Sequence, residues 1–175
     1  MNRSFSSIKL IILIFFICFI FILLHCSKAK EPSSSSAPDF NLTTIDGQEI
    51  KLSDLKGKVI LLDFWATWCG PCKESIPHLN EVYKNYHQSG FELIGLSMDK
   101  MSEVEMVRRF VRSMDITYPI GFTSKELVKS YGVSVIPTTI LIDKKGRIRE
   151  KIMGFNTSIA RKITMRIEEL LSESY

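Results

Sequence analysis

Apolar and polar residues change rhythm several times along this chain, and each change marks an element. Residues 10–24 form an unbroken apolar run of fifteen residues. Residues 27–38 (S-K-A-K-E-P-S-S-S-S-A-P) then carry almost no apolar content and read as a flexible tether. Residues 40–42 and 48–52, around Asp46-Gly47, have the alternation of a short hairpin. Ser53-Asp54-Leu55 and Gly57 lead into residues 59–64 (V-I-L-L-D-F), a continuous apolar run suited to a strand buried on both faces. After Pro71, which suits a first helical turn because its missing N–H has no partner to lose there, Ile76, Leu79, Val82, Tyr83 and Tyr86 recur at helical spacing.

The second half repeats the alternation. Residues 91–98 (F-E-L-I-G-L-S-M) read as another buried strand, and 102–114 as a helix with Val104, Val107, Phe110, Val111 and Met114 on its apolar stripe. Residues 124–131 read as a short helix closed by Gly132, and 138–142 and 147–153 as strands joined across Lys144-Lys145-Gly146. The last helix is expected over 157–172, with Ile159, Ile163, Ile167, Leu170 and Leu171 on one side. Strands mixed with crossover helices predict an α/β fold, a sheet covered by helices on both sides. The chain has 175 residues, which allows one domain with a sizeable core from about Asp39 onward. Three segments result: 1–26 as an export signal or membrane anchor, 27–38 as linker, and 39–175 as the domain.

The first segment has basic residues Arg3 and Lys9 ahead of its apolar run, as an export signal does. The run is shorter than the roughly twenty residues of an untilted span, but Lys9 and Lys28 snorkelling at its ends would make up the difference. Three fates are open: cleavage, retention as an anchor, or lipid attachment at Cys26. The last arises because Leu23-Leu24-His25-Cys26 loosely resembles a lipoprotein cleavage box, although His25 stands where a small residue is usual. Charge adds an exclusion. Of the 23 basic residues, Arg3, Lys9, Lys28 and Lys30 lie in 1–30 with no acid beside them, leaving 19 against 19 acidic residues over 31–175. The domain is formally neutral and shows no basic stripe, which argues against a nucleic-acid partner.

Chemistry concentrates in residues 63–73, D-F-W-A-T-W-C-G-P-C-K. Of the four cysteines, Cys18 and Cys26 belong to the N-terminal run, so Cys69 and Cys72 are the pair available to the domain. A loop this short removes little unfolded-state entropy, so the spacing suits a cycling disulfide better than a staple. Zinc would need two further ligands, yet there is no second Cys-x-x-C, and His25, His78 and His87 form no H-x-x-x-H pattern. Cys69 should stand at a helix N-terminus, where backbone N–H groups and the dipole favour a thiolate, with Cys72 one turn inside. Attack is therefore assigned to Cys69 and resolution to Cys72. Asp63 stands in an otherwise apolar strand, where a carboxylate is costly and its pKa should rise.

The stretch around the cysteines resembles the active site of thioredoxins. The longer pattern, from Ala37-Pro38-Asp39-Phe40 through Ile136-Pro137-Thr138-Thr139, is similar to the membrane-tethered thioredoxin-like family that includes TlpA and ResA. The resemblance implies a thioredoxin-like fold, a central mixed sheet flanked by helices with an added N-terminal β-hairpin. It implies that Asp63 accepts the Cys72 proton, that Pro137 is cis and lies beside the cysteines, and that Trp68, Gly70, Pro71, Ile136 and Pro137 form the substrate surface. Trp65 suits either the site or the core. One position departs from the family: a glutamate is common three residues after the second cysteine, where this chain has Ser75. Glu74, one residue earlier, is rotated by about 100° around the helix and does not replace it. That departure weakens a dedicated role in cytochrome c maturation, while Gly70-Pro71 pulls the site toward thioredoxin-like reduction.

The leading expectation is an extracytoplasmic, membrane-tethered thiol:disulfide oxidoreductase. It would act as a monomer, reduce protein disulfides, be recharged by a membrane electron donor, and need no cofactor or metal. Two alternatives come from other classes. A thiol peroxidase of the peroxiredoxin type is suggested by Thr67-x-Cys69, although the upstream proline of that motif is absent. A non-catalytic envelope assembly domain is the other, and the presence of both cysteines argues against it.

Overall fold

A computed structural model describes residues 35–175; the expected export segment, with Cys18 and Cys26, lies outside the described residues. Two antiparallel strands, β1 (Asn41–Thr43) and β2 (Glu49–Lys51), form the N-terminal hairpin. A five-stranded sheet follows in the order β5-β4-β3-β6-β7, built from β3 (Val59–Trp65), β4 (Phe91–Ser97), β5 (Ile120–Phe122), β6 (Thr138–Ile142) and β7 (Ile148–Met153). The helices are α1 (Gly70–Tyr86), α2 (Val104–Ser113), α3 (Lys125–Ser130) and α4 (Thr157–Ser172). Strand β3 runs parallel to β4 and antiparallel to β6, so the sheet is mixed. The parallel pair requires the long α1 crossover between its strands, whereas β6 and β7 need only a tight turn. The expected fold, hairpin included, is borne out.

Every residue of β3 and β4 is buried, because different elements cover the two sheet faces. On one face Val59, Leu61, Trp65 and Leu93 pack with Leu79 and Val82 of α1, Val107 of α2, and Ile163 and Ile167 of α4. On the other, Ile60, Leu62, Phe64, Ile94 and Ile140 lie with Leu42 and Leu52 from the N-terminal segment and with Leu127, Val128 and Tyr131 from α3 and its end. Burying each such side chain is worth roughly 1.5–3 kcal/mol, which makes the hairpin part of the core and not an appendage.

The N-terminal segment also closes the sheet edges. Ile45 N–H donates to the Ile120 carbonyl at 2.8 Å, and Thr44 bridges Gly121, capping β5. At the opposite edge Ser36 bridges Arg147, with Ala37 N–H donating to Gly146 C=O and Ile148 N–H to Ser35 C=O, both at 2.9 Å. The packed chain thus begins no later than Ser35, within the serine-rich stretch read as tether. Unpaired strand edges are templates for aggregation; the short β5 edge is paired here, and the β7 edge is met where it begins.

Strand β5 has no counterpart in the sequence reading. It is three residues long with Gly121 at its centre, and a Cβ there would lie 2.7 Å from Leu42 Cδ1. Glycine is needed because the hairpin leucine presses onto the backbone. Leu42→Ala should therefore lower the unfolding free energy by about 2–4 kcal/mol. Urea denaturation would show this as a lower midpoint at unchanged slope, and an unmoved midpoint would mean that the hairpin is not part of the cooperative core.

Candidate active site

Strand β3 ends at Trp65, and four residues later Cys69 caps α1. Its backbone is extended, and its Sγ accepts the Cys72 N–H at 3.2 Å. Cys69 and Cys72 form a disulfide with 5.3 Å between their Cα atoms. The two sulfurs differ in access: Cys69 is 5% exposed and Cys72 is 0% exposed. Only the first can meet a partner. Once the bond is reduced, the helix N-terminus favours a thiolate at that same sulfur. Around it the surface is open, since a Cβ on Gly70 would meet nothing within 4 Å and Trp68 is 68% exposed.

The loop before Cys69 is held by a residue that sequence reasoning missed. Asp99, just past β4, accepts the Thr67 N–H at 2.9 Å and the Thr67 hydroxyl at 2.8 Å, and also the Ser97 hydroxyl at 2.8 Å. Met98 N–H donates to the Trp65 carbonyl at 2.8 Å, so the end of β4 clamps the end of β3. The signal that would have found Asp99 is the one that exposed Asp63: a buried acid at the end of an apolar run.

Pro137 enters from β6. Its bond to Ile136 is cis, as the family resemblance implies. Phe64 pairs with Thr138, and one further step of that antiparallel register sets Pro137 level with Trp65, at the end of β3 where the cysteine loop departs. The Pro137 carbonyl accepts Gly154 N–H at 2.8 Å, while the Ile136 N–H and C=O have no backbone partner among the described residues. An extended segment lying beside the cysteines could pair with them.

On the face of β3 that packs with the cysteines, between Leu61 and Trp65, lies Asp63, 1% exposed, with neither carboxyl oxygen hydrogen-bonded. Burial alone pushes its pKa up to about 7. An acid held there exchanges its proton near neutral pH, as a general acid–base group requires. Trp65 is core: its ring stacks on Phe110 at 5.3 Å between centroids, and Lys73 sits 5.8 Å from the Phe110 centroid. Ser75 is buried and donates to the Cys72 carbonyl at 2.8 Å, while Glu74 points to solvent. No acid therefore occupies the helix face three residues past Cys72.

The comparisons with known proteins agree with this geometry. The AhpC/TSA family matches residues 34–151. A thiol-disulfide oxidoreductase ResA of Bacillus cereus is 40% identical over 131 residues, which span 74% of this chain and 75% of that protein. This chain belongs to the ResA-type thioredoxin family. The ResA of Bacillus subtilis is 35% identical over 74% of this chain and 72% of its own length. A thioredoxin-family thiol:disulfide interchange protein from Chlorobium tepidum superposes with a TM-score of 0.72 at 26% identity, covering 81% of this chain and 99% of that one. StoA from Bacillus subtilis gives 0.62 at 29% identity, covering 74% and 96%. The ResA-type protein described here is thus a thiol:disulfide oxidoreductase acting through a Cys69/Cys72 redox pair.

Asp63 also leaves a signature in stability. Its pKa rises from 3.8 to about 7 on folding, so the folded state keeps a proton that the unfolded state releases. Folding bears no penalty from this group below about pH 4, loses stability as pH climbs, and levels off above about pH 7, for a total on the order of 4 kcal/mol. Asp63→Asn should make the oxidised protein more stable than wild type at pH 8, with the gap closing toward pH 4. Urea denaturation at the two pH values measures this; a gap independent of pH would contradict it.

Proposed function

We propose that this protein is a reductant of protein disulfides, held outside the cytoplasm by its N-terminal segment and recharged by a thiol-transferring donor in the membrane. The observation that carries the reading is the asymmetry of the cysteine pair, the first slightly exposed at a helix N-terminus and the second fully buried on the sheet face that also carries a buried acid. In the reduced enzyme the Cys69 thiolate attacks a substrate disulfide, forming a mixed disulfide and releasing one substrate thiolate, which takes a proton from solvent. Asp63, as carboxylate, then accepts the Cys72 proton. The Cys72 thiolate attacks Cys69 Sγ, closing the Cys69–Cys72 bond and expelling the second substrate thiolate. Two electrons pass from the enzyme dithiol to the substrate.

Substrate contact falls to Trp68, Gly70 and Pro71 around Cys69, to Pro137, and to Ile136, whose free backbone N–H and C=O would align an extended chain. The pairing of the short β5 edge with the N-terminal segment supports a monomer. Export rests on the apolar run over 10–24 and the basic residues before it, with lipid attachment at Cys26 as one mode of tethering; among the described residues no helix is long and apolar enough to cross a membrane. Ser75, in place of an acid, favours general protein-disulfide reduction over a role confined to cytochrome c maturation. A disulfide closed over so short a span, with a buried acid on the sheet face it shares, favours dithiol exchange over peroxidase chemistry.

The purified domain should reduce insulin in the presence of dithiothreitol, and the Cys69→Ser, Cys72→Ser double variant should lose at least 100-fold of that rate. Activity equal in both would end the reading. In cells, Cys72→Ser should accumulate mixed disulfides, seen as reductant-sensitive bands on non-reducing gels and absent from Cys69→Ser. If no partner is captured, a protein substrate is ruled against.

A further inference from the structure

The mechanism leaves unexplained what faces Asp63 besides the cysteines. On its own strand, Trp65 points to the same sheet face, and its indole Nε1 is buried without a hydrogen-bond partner. The neighbouring residue on β4 is Gly95, which carries no side chain, and the one on β6 is Thr139. Over Gly95 the side chains close in tightly: a Cβ there would lie 3.1 Å from Trp65 Nε1, 3.1 Å from Tyr118 Cε2 and 2.3 Å from Ile120 Cδ1. Glycine at this position is what lets an indole N–H and a tyrosine ring converge beside the acid.

Charged and titratable neighbours are few. Helix α1 brings Cys69 and Cys72 to this face, and Tyr83, whose ring stands edge-on to Tyr118 at 6.1 Å. Lys73 of α1 is held on the Phe110 ring. From α2 come Val107 and Phe110, and from α4 Ile163 and Ile167, all apolar. Tyr118, just before β5, is 4% exposed, and burial, followed by the charge of Asp63, holds its hydroxyl protonated well above its ordinary range. It remains an O–H donor throughout the working pH range, and its hydroxyl makes no hydrogen bond among the described residues. Asp63, an acceptor without donors, thus shares its sheet face with the buried Trp65 N–H, a donor without an acceptor, and stands near the Tyr118 ring, whose hydroxyl is unpaired but not sealed from solvent. Leaving such groups unpaired is costly, and bonds to a charged group are the stronger kind.

We propose that Tyr118 is a positioning residue of the redox site: its O–H, together with the Trp65 indole N–H, stabilises the Asp63 carboxylate and so sets the pH range in which Asp63 can take the Cys72 proton. The donors act across one bridging water, because neither carboxyl oxygen has a direct partner among the described residues. The inference rests on Asp63 being the proton acceptor of the resolving step. Removing the hydroxyl destabilises the carboxylate, raises the proton affinity of Asp63, and moves the onset of fast resolution to higher pH.

The test is the rate of mixed-disulfide resolution between pH 5 and 9, measured by rapid mixing of reduced protein with a peptide disulfide. The wild type should show a limb near the Asp63 pKa of about 7. In Tyr118→Phe that limb should move up by about one pH unit, giving a rate roughly 3–10-fold lower at pH 6.5 and nearly equal at pH 9. Asp63→Asn should abolish the limb, and the double variant should match Asp63→Asn alone. An infrared titration of the Asp63 carboxyl in oxidised Tyr118→Phe should show the same upward move and does not depend on turnover. A limb that survives in Asp63→Asn would overturn the proton-acceptor reading and this proposal with it. A limb lost in Asp63→Asn but unmoved in Tyr118→Phe, or a Tyr118→Phe effect that persists without Asp63, would overturn the Tyr118 proposal alone.

Discussion

A seven-residue strand buried from end to end, carrying a single carboxylic acid, is the constraint that the rest of this molecule answers. Burying β3 on both faces demands two covers, and the chain supplies helices for one and its N-terminal hairpin with α3 for the other. Burying Asp63 demands that the acid stay protonated over much of the pH range or find donors, and among the described residues no hydrogen-bond donor meets it. The strand that forms the middle of the core is thus also the strand that carries a buried acid on the sheet face the cysteines share. In the proposed mechanism, stability and chemistry draw on that same residue in opposite directions.

The cysteine loop solves a second problem, that of presenting one sulfur while hiding another. Helix α1 does this by geometry, since its cap residue keeps a small exposed area and the residue three positions on turns fully inward. What keeps the cap in place is not the helix but the acid at the end of the neighbouring strand, which ties down Thr67 through both its N–H and its hydroxyl. Asp99 therefore holds the loop from behind its backbone, while Asp63 is buried on the sheet face that the cysteines share.

Much of this was legible in the sequence, and what was not shares a cause. The apolar run 59–64, the helical stripes and the turn at Lys144-Lys145-Gly146 are local patterns, and the elements they imply are present with boundaries shifted by a residue or two. Cys69, Cys72 and Asp63 lie within one short stretch, so their proximity could be argued from spacing. Asp99 and Tyr118 could not, because their partners stand on other strands and only the sheet register brings them together. Strand β5 escaped because three residues centred on glycine carry no periodicity, and their reason for being a strand is the leucine that presses on them. Composition also misplaced an edge: Ser35 to Pro38 look like tether but pair with the β6–β7 turn and with Tyr131.

That pairing has a geometric consequence. Strand β6 begins beside Pro137 and the cysteines and ends at the turn where Ser36 is bridged, so the chain enters the folded body at the pole opposite its reactive sulfur. The end of β6 where the described chain begins is thus separate from the end where the disulfide sits, and a change at one need not disturb the other.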